Sequence, residues 1–193
     1  MPKSKFDIVG ILQEHGAIVS GHFKLPSGFH SQTYIQTSMV LQYPHIAQKI
    51  AKEMADRFPQ DIDVVISPNP AIIVIGQEIA RIKNARSIFT EKVDGVMMLK
   101  RNFKIAENEK VLIVDDVFST GKMCAEAISL ARNYKAKVIG VAAIVDRSTG
   151  ELPFFNVPVR CLVSYPLELY PPDNCPLCKM SIPLTACGTS SEK

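Results

Sequence analysis

The sequence predicts an α/β protein whose core is a mainly parallel sheet flanked by helices. Three observations carry that expectation. Short apolar runs such as Val111-Leu112-Ile113-Val114 and residues 138–145 read as strands buried on both faces. Amphipathic stretches, apolar at three- and four-residue steps, alternate with those runs. Polar residues stand where the runs stop, at Asp115-Asp116 and Asp146-Arg147, beyond the carboxyl ends of strands, where α/β sheets bind ligands.

Taken in order, residues 7–14 form a helix that turns Ile8, Ile11 and Leu12 inward, with Gly16 and Gly21 breaking it. Phe23-Lys24-Leu25 and Thr33-Tyr34-Ile35 are two short strands around the turn Pro26-Ser27-Gly28. Pro44 opens a helix with Ile46, Ile50, Met54 and Phe58 on one face and Lys49, Lys52, Glu53 and Arg57 on the other. Residues 63–67 are a strand, residues 75–82 a helix, and Ser67-Pro68-Asn69-Pro70-Ala71-Ile72 the turn between them. Residues 86–91 and 96–100 are strands joined through Val93-Asp94-Gly95. The run 111–114 is a strand that the two acids end, because unpaired charge is costly inside a buried strand. Ser119-Thr120-Gly121 then turns into a helix carrying Cys124, Ala125, Ile128 and Ala131. Residues 138–145 and 159–164 are the last two strands.

The chain of 193 residues suits one domain with a substantial core. We divide it into an N-terminal segment 1–42, a core 43–166 and a Cys- and Pro-rich tail 167–193, frayed from 188 onward. A net charge of +3 without a basic run does not favour nucleic acid, and no apolar stretch is long enough to span a membrane. Met1-Pro2-Lys3-Ser4-Lys5 leads into an amphipathic segment rather than a signal peptide, and five cysteines without such a signal point to reduced thiols in the cytoplasm.

The stretch 111–123 holds the chemistry. Successive backbone N–H groups from Val117 to Lys122 at a helix N-terminus form a cup for a phosphate monoester. Ser119 and Thr120 add hydroxyl donors, Gly121 permits close backbone approach, and Lys122 adds positive charge. Asp115 and Asp116 repel phosphate but accept hydrogen bonds from a vicinal diol. Together they describe a ribose 5-phosphate site. A Walker A loop would need glycine where Asp116 stands and Ser or Thr where Met123 stands, and a dinucleotide fingerprint would need three glycines. A solvated turn that merely caps a helix is the plain alternative.

With these residues stated, residues 111–123 resemble the phosphoribosyl-diphosphate signature of the type I phosphoribosyltransferases. Three further stretches resemble the orotate phosphoribosyltransferases among them, in a short-chain bacterial branch: residues 21–34, Val145-Asp146-Arg147-Ser148, and Cys175-Pro176-Leu177-Cys178. The resemblance covers nearly the whole chain and implies a type I phosphoribosyltransferase-like fold with a small hood on the base side. It implies transfer of phosphoribosyl from 5-phosphoribosyl 1-diphosphate to orotate, with Mg2+ arriving on the substrate diphosphate rather than on direct protein ligands, and a cytoplasmic homodimer. Asp115 and Asp116 would hold the sugar, and residues 117–123 its phosphate. Ser119 and Arg147 would bind orotate, the arginine by a bidentate grip on the carboxylate.

The resemblance also assigns a closing basic loop to Lys92, Lys100 and Arg101, and a diphosphate turn to Ala71 and Ile72. The family's usual glycines are missing at those two positions, so crowding by Ile72 is expected there. That departure leaves room for a non-catalytic sensor of ribose phosphates on the same fold, or a transferase for another base. For Arg147 the alternative is a salt bridge to Asp146 or Glu151, and for the basic residues an exposed hairpin with solvated cations. Cys175 and Cys178 have zinc-like spacing, with Cys161 and Cys187 as possible partners. A turn with reduced, partly buried thiols is the preferred reading.

Overall fold

The computed structural model of the chain describes residues 6–148 and 156–187; Glu151 and the expected frayed end lie outside them. Asp7 caps α1 (Ile8–Glu14) by accepting the Gly10 N–H at 2.9 Å. Gly16, at φ 66°, ends that turn, whereas Gly21 breaks no helix and lies inside a strand. That strand, β1 (Ile18–Lys24), pairs antiparallel with β2 (His30–Ile35), and the pairing bulges between Ser20 and Phe23. A short helix, α2 (Ser38–Leu41), leads to α3 (Pro44–Asp56), which buries Ile46, Ile50 and Met54 as the four-residue spacing requires.

Next come β3 (Val64–Ser67), a single 3-10 turn over Pro70–Ile72, and α4 (Ile73–Lys83). A Cβ at Gly76 would stand 2.2 Å from Ser67 Oγ, so glycine is what lets α4 lie this close to β3. β4 (Arg86–Val93) and β5 (Val96–Leu99) form a hairpin through Asp94 and Gly95, both at positive φ, as a tight two-residue turn demands. Then follow β6 (Lys110–Phe118), α5 (Lys122–Asn133), β7 (Lys137–Asp146) and β8 (Val159–Ser164). The tail supplies α6 (Pro176–Lys179) and a two-residue strand, β9 (Thr185–Ala186).

The main sheet runs β5-β4-β3-β6-β7-β8 and is parallel except for β5. Strand pleating sorts its side chains between two cores. Leu112 and Val114 of β6 join Ile50, Met54, Ile75 and Ile79 from α3 and α4, whereas Val111 and Ile113 join Cys124, Ala127 and Ile128 from α5. The expectation that the acid pair ends β6 is corrected: the strand runs on to Phe118, pairing Phe118 with Asp146 of β7. Buried strand can continue there because both carboxylates are hydrogen-bonded.

A second sheet, β2-β1-β9, forms the hood. The Cys- and Pro-rich tail supplies one of its strands. β9 pairs parallel with β1, Phe23 opposite Thr185, and His30 exchanges backbone hydrogen bonds of 2.8 Å with Tyr170.

Candidate functional site

The parallel strands bring their carboxyl ends to one edge of the main sheet. There Pro68-Asn69 follows β3, Asp115 to Phe118 end β6, and Asp146 ends β7 with Arg147 just after it. Pleating sends the two neighbouring acids to opposite faces. Asp115 lies on the α5 side, buried to 5% exposure, where its Oδ2 accepts the Cys124 thiol at 3.4 Å and its Oδ1 the Asp116 N–H at 3.0 Å. Burial first, then the neighbouring Asp116 charge, pushes the Asp115 carboxyl up to about 7. Burial and the adjacent carboxylate likewise drive the Cys124 thiol upward, so it stays a neutral donor.

Asp116 faces the hood. Its Oδ1 accepts the Val117 N–H at 2.8 Å, and its Oδ2 accepts the hydroxyl of Thr37, buried just ahead of α2. The hood is thereby tied to the end of β6 by a charge-assisted hydrogen bond.

Beyond β6 the chain turns through Ser119, Thr120 and Gly121. Gly121 sits at φ 70° as the residue before α5, a conformation in which a Cβ would be strained. Contrary to the plain alternative, the hydroxyls do not cap the helix; Thr120 Oγ1 accepts the Lys122 N–H only at a long 3.4 Å. Among the described residues the backbone N–H groups of Ser119, Thr120 and Gly121 have no acceptor within the chain. Three consecutive free donors at the N-terminus of a three-turn helix make a concave anion site. Lys122 is exposed beside it, and the Asn69 amide meets the Met123 sulfur at 3.6 Å.

Arg147 N–H donates to Phe118 O at 2.9 Å, which fixes this residue next to β6. Its side chain lines a cavity of about 180 Å³ with Tyr34, Asp116, Val117, Leu25 and Leu167. Burial holds the guanidinium somewhat below its ordinary value, opposed by Cys187, Tyr34 and Asp116 nearby. Asp146 does not pair with it: Asp146 Oδ1 is taken by the Ser148 N–H and hydroxyl, at 2.9 and 2.6 Å. Ser119 is not among the residues lining this cavity, so Arg147 and Ser119 do not share it. Sequence reasoning missed Tyr34 and Thr37. Both sit in or beside the stretch that carried the resemblance, and that was the available signal.

The turn after β3 corrects the crowding expected of Ile72. Its side chain is fully buried in the α3/α4 core, while Ala71 is exposed with its N–H held by Asn69 Oδ1 at 2.8 Å. A β-branched residue is tolerated because it points away from the sheet edge. Of the basic residues, Lys92 Nζ lies 3.1 Å from Glu126 of α5 without hydrogen-bond alignment, and Arg101 pairs with Glu91 at 2.9 Å. Lys100 is exposed and makes no ion pair among the described residues. Thr90 Oγ1 donates to Pro68 O at 2.7 Å, tying the base of the β4–β5 hairpin to the turn after β3.

Comparison with known proteins adds a family to this geometry. The sequence profile described as Phosphoribosyl transferase domain matches residues 36–164. The chain is 43% identical over 186 residues to an orotate phosphoribosyltransferase of Caldicellulosiruptor saccharolyticus, covering 96% of this chain and 97% of that protein. It is 44% identical over 186 residues to an orotate phosphoribosyltransferase of a Thermoanaerobacter species, with 96% and 97% covered. Among solved structures, orotate phosphoribosyltransferase from Aeropyrum pernix has the same fold, with a TM-score of 0.69 at 21% identity over 82% of this chain and 93% of that one.

Proposed function

The chain belongs to the phosphoribosyltransferase family, on its orotate phosphoribosyltransferase branch, and from that premise we propose how its residues divide the work. The enzyme transfers phosphoribosyl from 5-phosphoribosyl 1-diphosphate to orotate, giving orotidine 5′-monophosphate and diphosphate in pyrimidine biosynthesis. The observation that carries our assignment is the run of unpaired N–H groups at Ser119 to Gly121, just beyond Asp115 and Asp116, the second of which also lines the Arg147 cavity.

In this reading the 5-phosphate sits in the cup of residues 117–123. The acids hold the ribose hydroxyls, and Arg147 grips the orotate carboxylate with its planar fork. As the anomeric C–O bond breaks, positive charge grows on the sugar ring. The Asp116 carboxylate on the hood side, and the ionised fraction of Asp115 behind it, would favour that charge through a field that a water-poor edge strengthens. The protein mainly positions the two reactants. Ala71 and Ile72 would present backbone to the diphosphate once Asn69 releases their N–H groups, and Lys92, Lys100 and Arg101 would close over it once Glu126 and Glu91 release their partners.

All four oxygens of the acid pair already accept hydrogen bonds, so the edge suits a cation that arrives on the substrate diphosphate better than one caged by protein. Magnesium so carried would neutralise charge on the departing diphosphate. No helix among the described residues is long and apolar enough to cross a membrane. A cytoplasmic homodimer completes the proposal; exposed Phe29, Met39 and Tyr43 offer apolar surface that a second copy would cover.

A sensor or another base remains the competing assignment, but its main motive, Ile72 standing in the diphosphate site, is not what the side chain does. Magnesium-dependent diphosphate release with orotate, run against a panel of purines and pyrimidines, tests the proposal. Release with orotate alone is expected. Binding of phosphoribosyl diphosphate without release would favour the sensor.

A further inference from the structure

Apart from the residues of the acid-pair edge, four side chains from opposite ends of the chain converge at the hood. His22 of β1 and His30 of β2 bring ring nitrogens within 3.0 Å of each other, Nε2 of the first to Nδ1 of the second. The thiols of Cys175 and Cys178 lie 3.5 and 3.7 Å from His22 Nε2, and Cys178 Sγ lies 3.4 Å from His30 Nδ1. All four atoms are within 4.8 Å of one another, and His22, His30 and Cys175 are buried. Cys161 and Cys187, the partners expected from the sequence, are not in the group.

Ordinary hydrogen bonding does not account for this arrangement. His22 Nδ1 faces Ile182 O at 2.8 Å, and a carbonyl only accepts, so Nδ1 carries the proton. Nε2 is then left with a single lone pair, yet three other heteroatoms crowd towards it. One lone pair accepts one good hydrogen bond; a cation satisfies four lone pairs at once. A tetrahedral zinc ion, with Zn–N of about 2.05 Å and Zn–S of about 2.3 Å, spaces its ligand atoms roughly 3.3–3.8 Å apart. Three of the four distances given above fall inside that range, and the His–His distance would open by a few tenths of an ångström, the order of accuracy expected of a metal site. The Ile182 carbonyl is the outer partner that fixes tautomer and ring orientation in such sites.

We propose that His22 Nε2, His30 Nδ1, Cys175 Sγ and Cys178 Sγ bind a structural zinc ion that joins the β1–β2 hairpin to the C-terminal tail. Two imidazoles and two thiolates close a tetrahedral shell with no open position, which fits a structural role. Binding releases the two thiol protons to solvent, and two thiolates balance the charge of the ion, so no net charge is buried. The local fold is built for it. The bulge in β1 between Ser20 and Phe23 redirects His22, and the Cys175-Pro176-Leu177-Cys178 turn is held by Lys179 N–H to Cys175 O at 3.2 Å and Ser181 N–H to Cys178 O at 2.9 Å.

The test begins with the full chain expressed with added zinc and purified under reducing conditions without chelator. Elemental analysis should find about one zinc per chain, and cobalt exchange should give the visible bands of a tetrahedral thiolate site. Cys178→Ser should weaken zinc by more than the roughly 10–100-fold that loss of an outer partner brings, whereas His30→Cys should keep an ion in a three-thiolate site. A chelator should lower Tm and hydrogen-exchange protection in β1, β2 and β9 while β3, β6 and β7 keep theirs. If Cys178→Ser fails to fold, the wild-type metal content and cobalt spectrum still decide. Folded wild-type protein that carries no zinc and takes up no cobalt, or that holds iron or copper instead, overturns the proposal. So does a Cys175–Cys178 disulfide that persists in reductant.

Discussion

Asp115→Asn should make the protein more stable at pH 8 relative to pH 5, even though it removes a residue from the site. The carboxyl titrates near 3.8 in the unfolded chain and about 7 in the folded one, because burial and the Asp116 charge both oppose ionisation. Between those values the native state binds the extra proton. Stability contributed by the protonated group is therefore complete below 3.8 and is lost as pH rises through about 7. Each pH unit in the window is worth about 1.4 kcal/mol, so wild type loses about 3 kcal/mol between pH 5 and 7 through this group. Asn keeps the shape and ionises in neither state. Urea unfolding of both proteins at pH 5 and pH 8 gives four free energies, and the difference of differences cancels every contribution that does not titrate here. It should be about 3 kcal/mol in favour of Asn at the higher pH. A value near zero would mean that Asp115 ionises normally, and the picture of a desolvated acid under the sugar would be wrong.

Three further outcomes follow from the site. Converting both Asp115 and Asp116 to Asn should lower turnover more than affinity for ribose 5-phosphate, measured by steady-state kinetics and calorimetry; unchanged turnover would reject their role at the sugar. Arg147→Ala should weaken orotate roughly ten- to a hundredfold and spare phosphoribosyl diphosphate, with Lys restoring only part, since it lacks the fork. Equal weakening of both substrates would make the arginine structural. Ile72→Ala should destabilise by about 2–5 kcal/mol without tightening phosphoribosyl diphosphate, because the side chain fills the core rather than the cleft. Tighter binding at unchanged stability would restore the crowding argument.

The elements were legible because their signals are local. Residues 111–114 and 138–145 announce buried strands, and the spacing of Ile46, Ile50 and Met54 announces a helix face. The pleat that parts Asp115 from Asp116 was also legible in principle, since period two alone puts neighbours on opposite faces. What sequence could not supply was partnership across the chain. Nothing near Cys175 and Cys178 names His22 and His30 as neighbours, and Cys161 and Cys187 both stood closer in sequence. The direction of Ile72 and the pairing of Lys92 with Glu126 and Arg101 with Glu91 depend on how helices seat on the sheet. Local propensity carries no information about that seating.

The hood's two-ended construction also orders events during synthesis. His22 bonds the carbonyl of Ile182, 160 positions away, so the base-side sheet lacks its last strand until β9 itself has been made. Closing such a loop in an unfolded chain costs about 4.5 kcal/mol in entropy beyond a constant. Once the main sheet has formed, β8 is already in place and Tyr170 has only the few residues after Ser164 to span before it meets His30. The barrier then shrinks to that of a short loop. In chain order the strands and helix of the phosphate cup all precede the segment that completes the hood, so β9 is made after them.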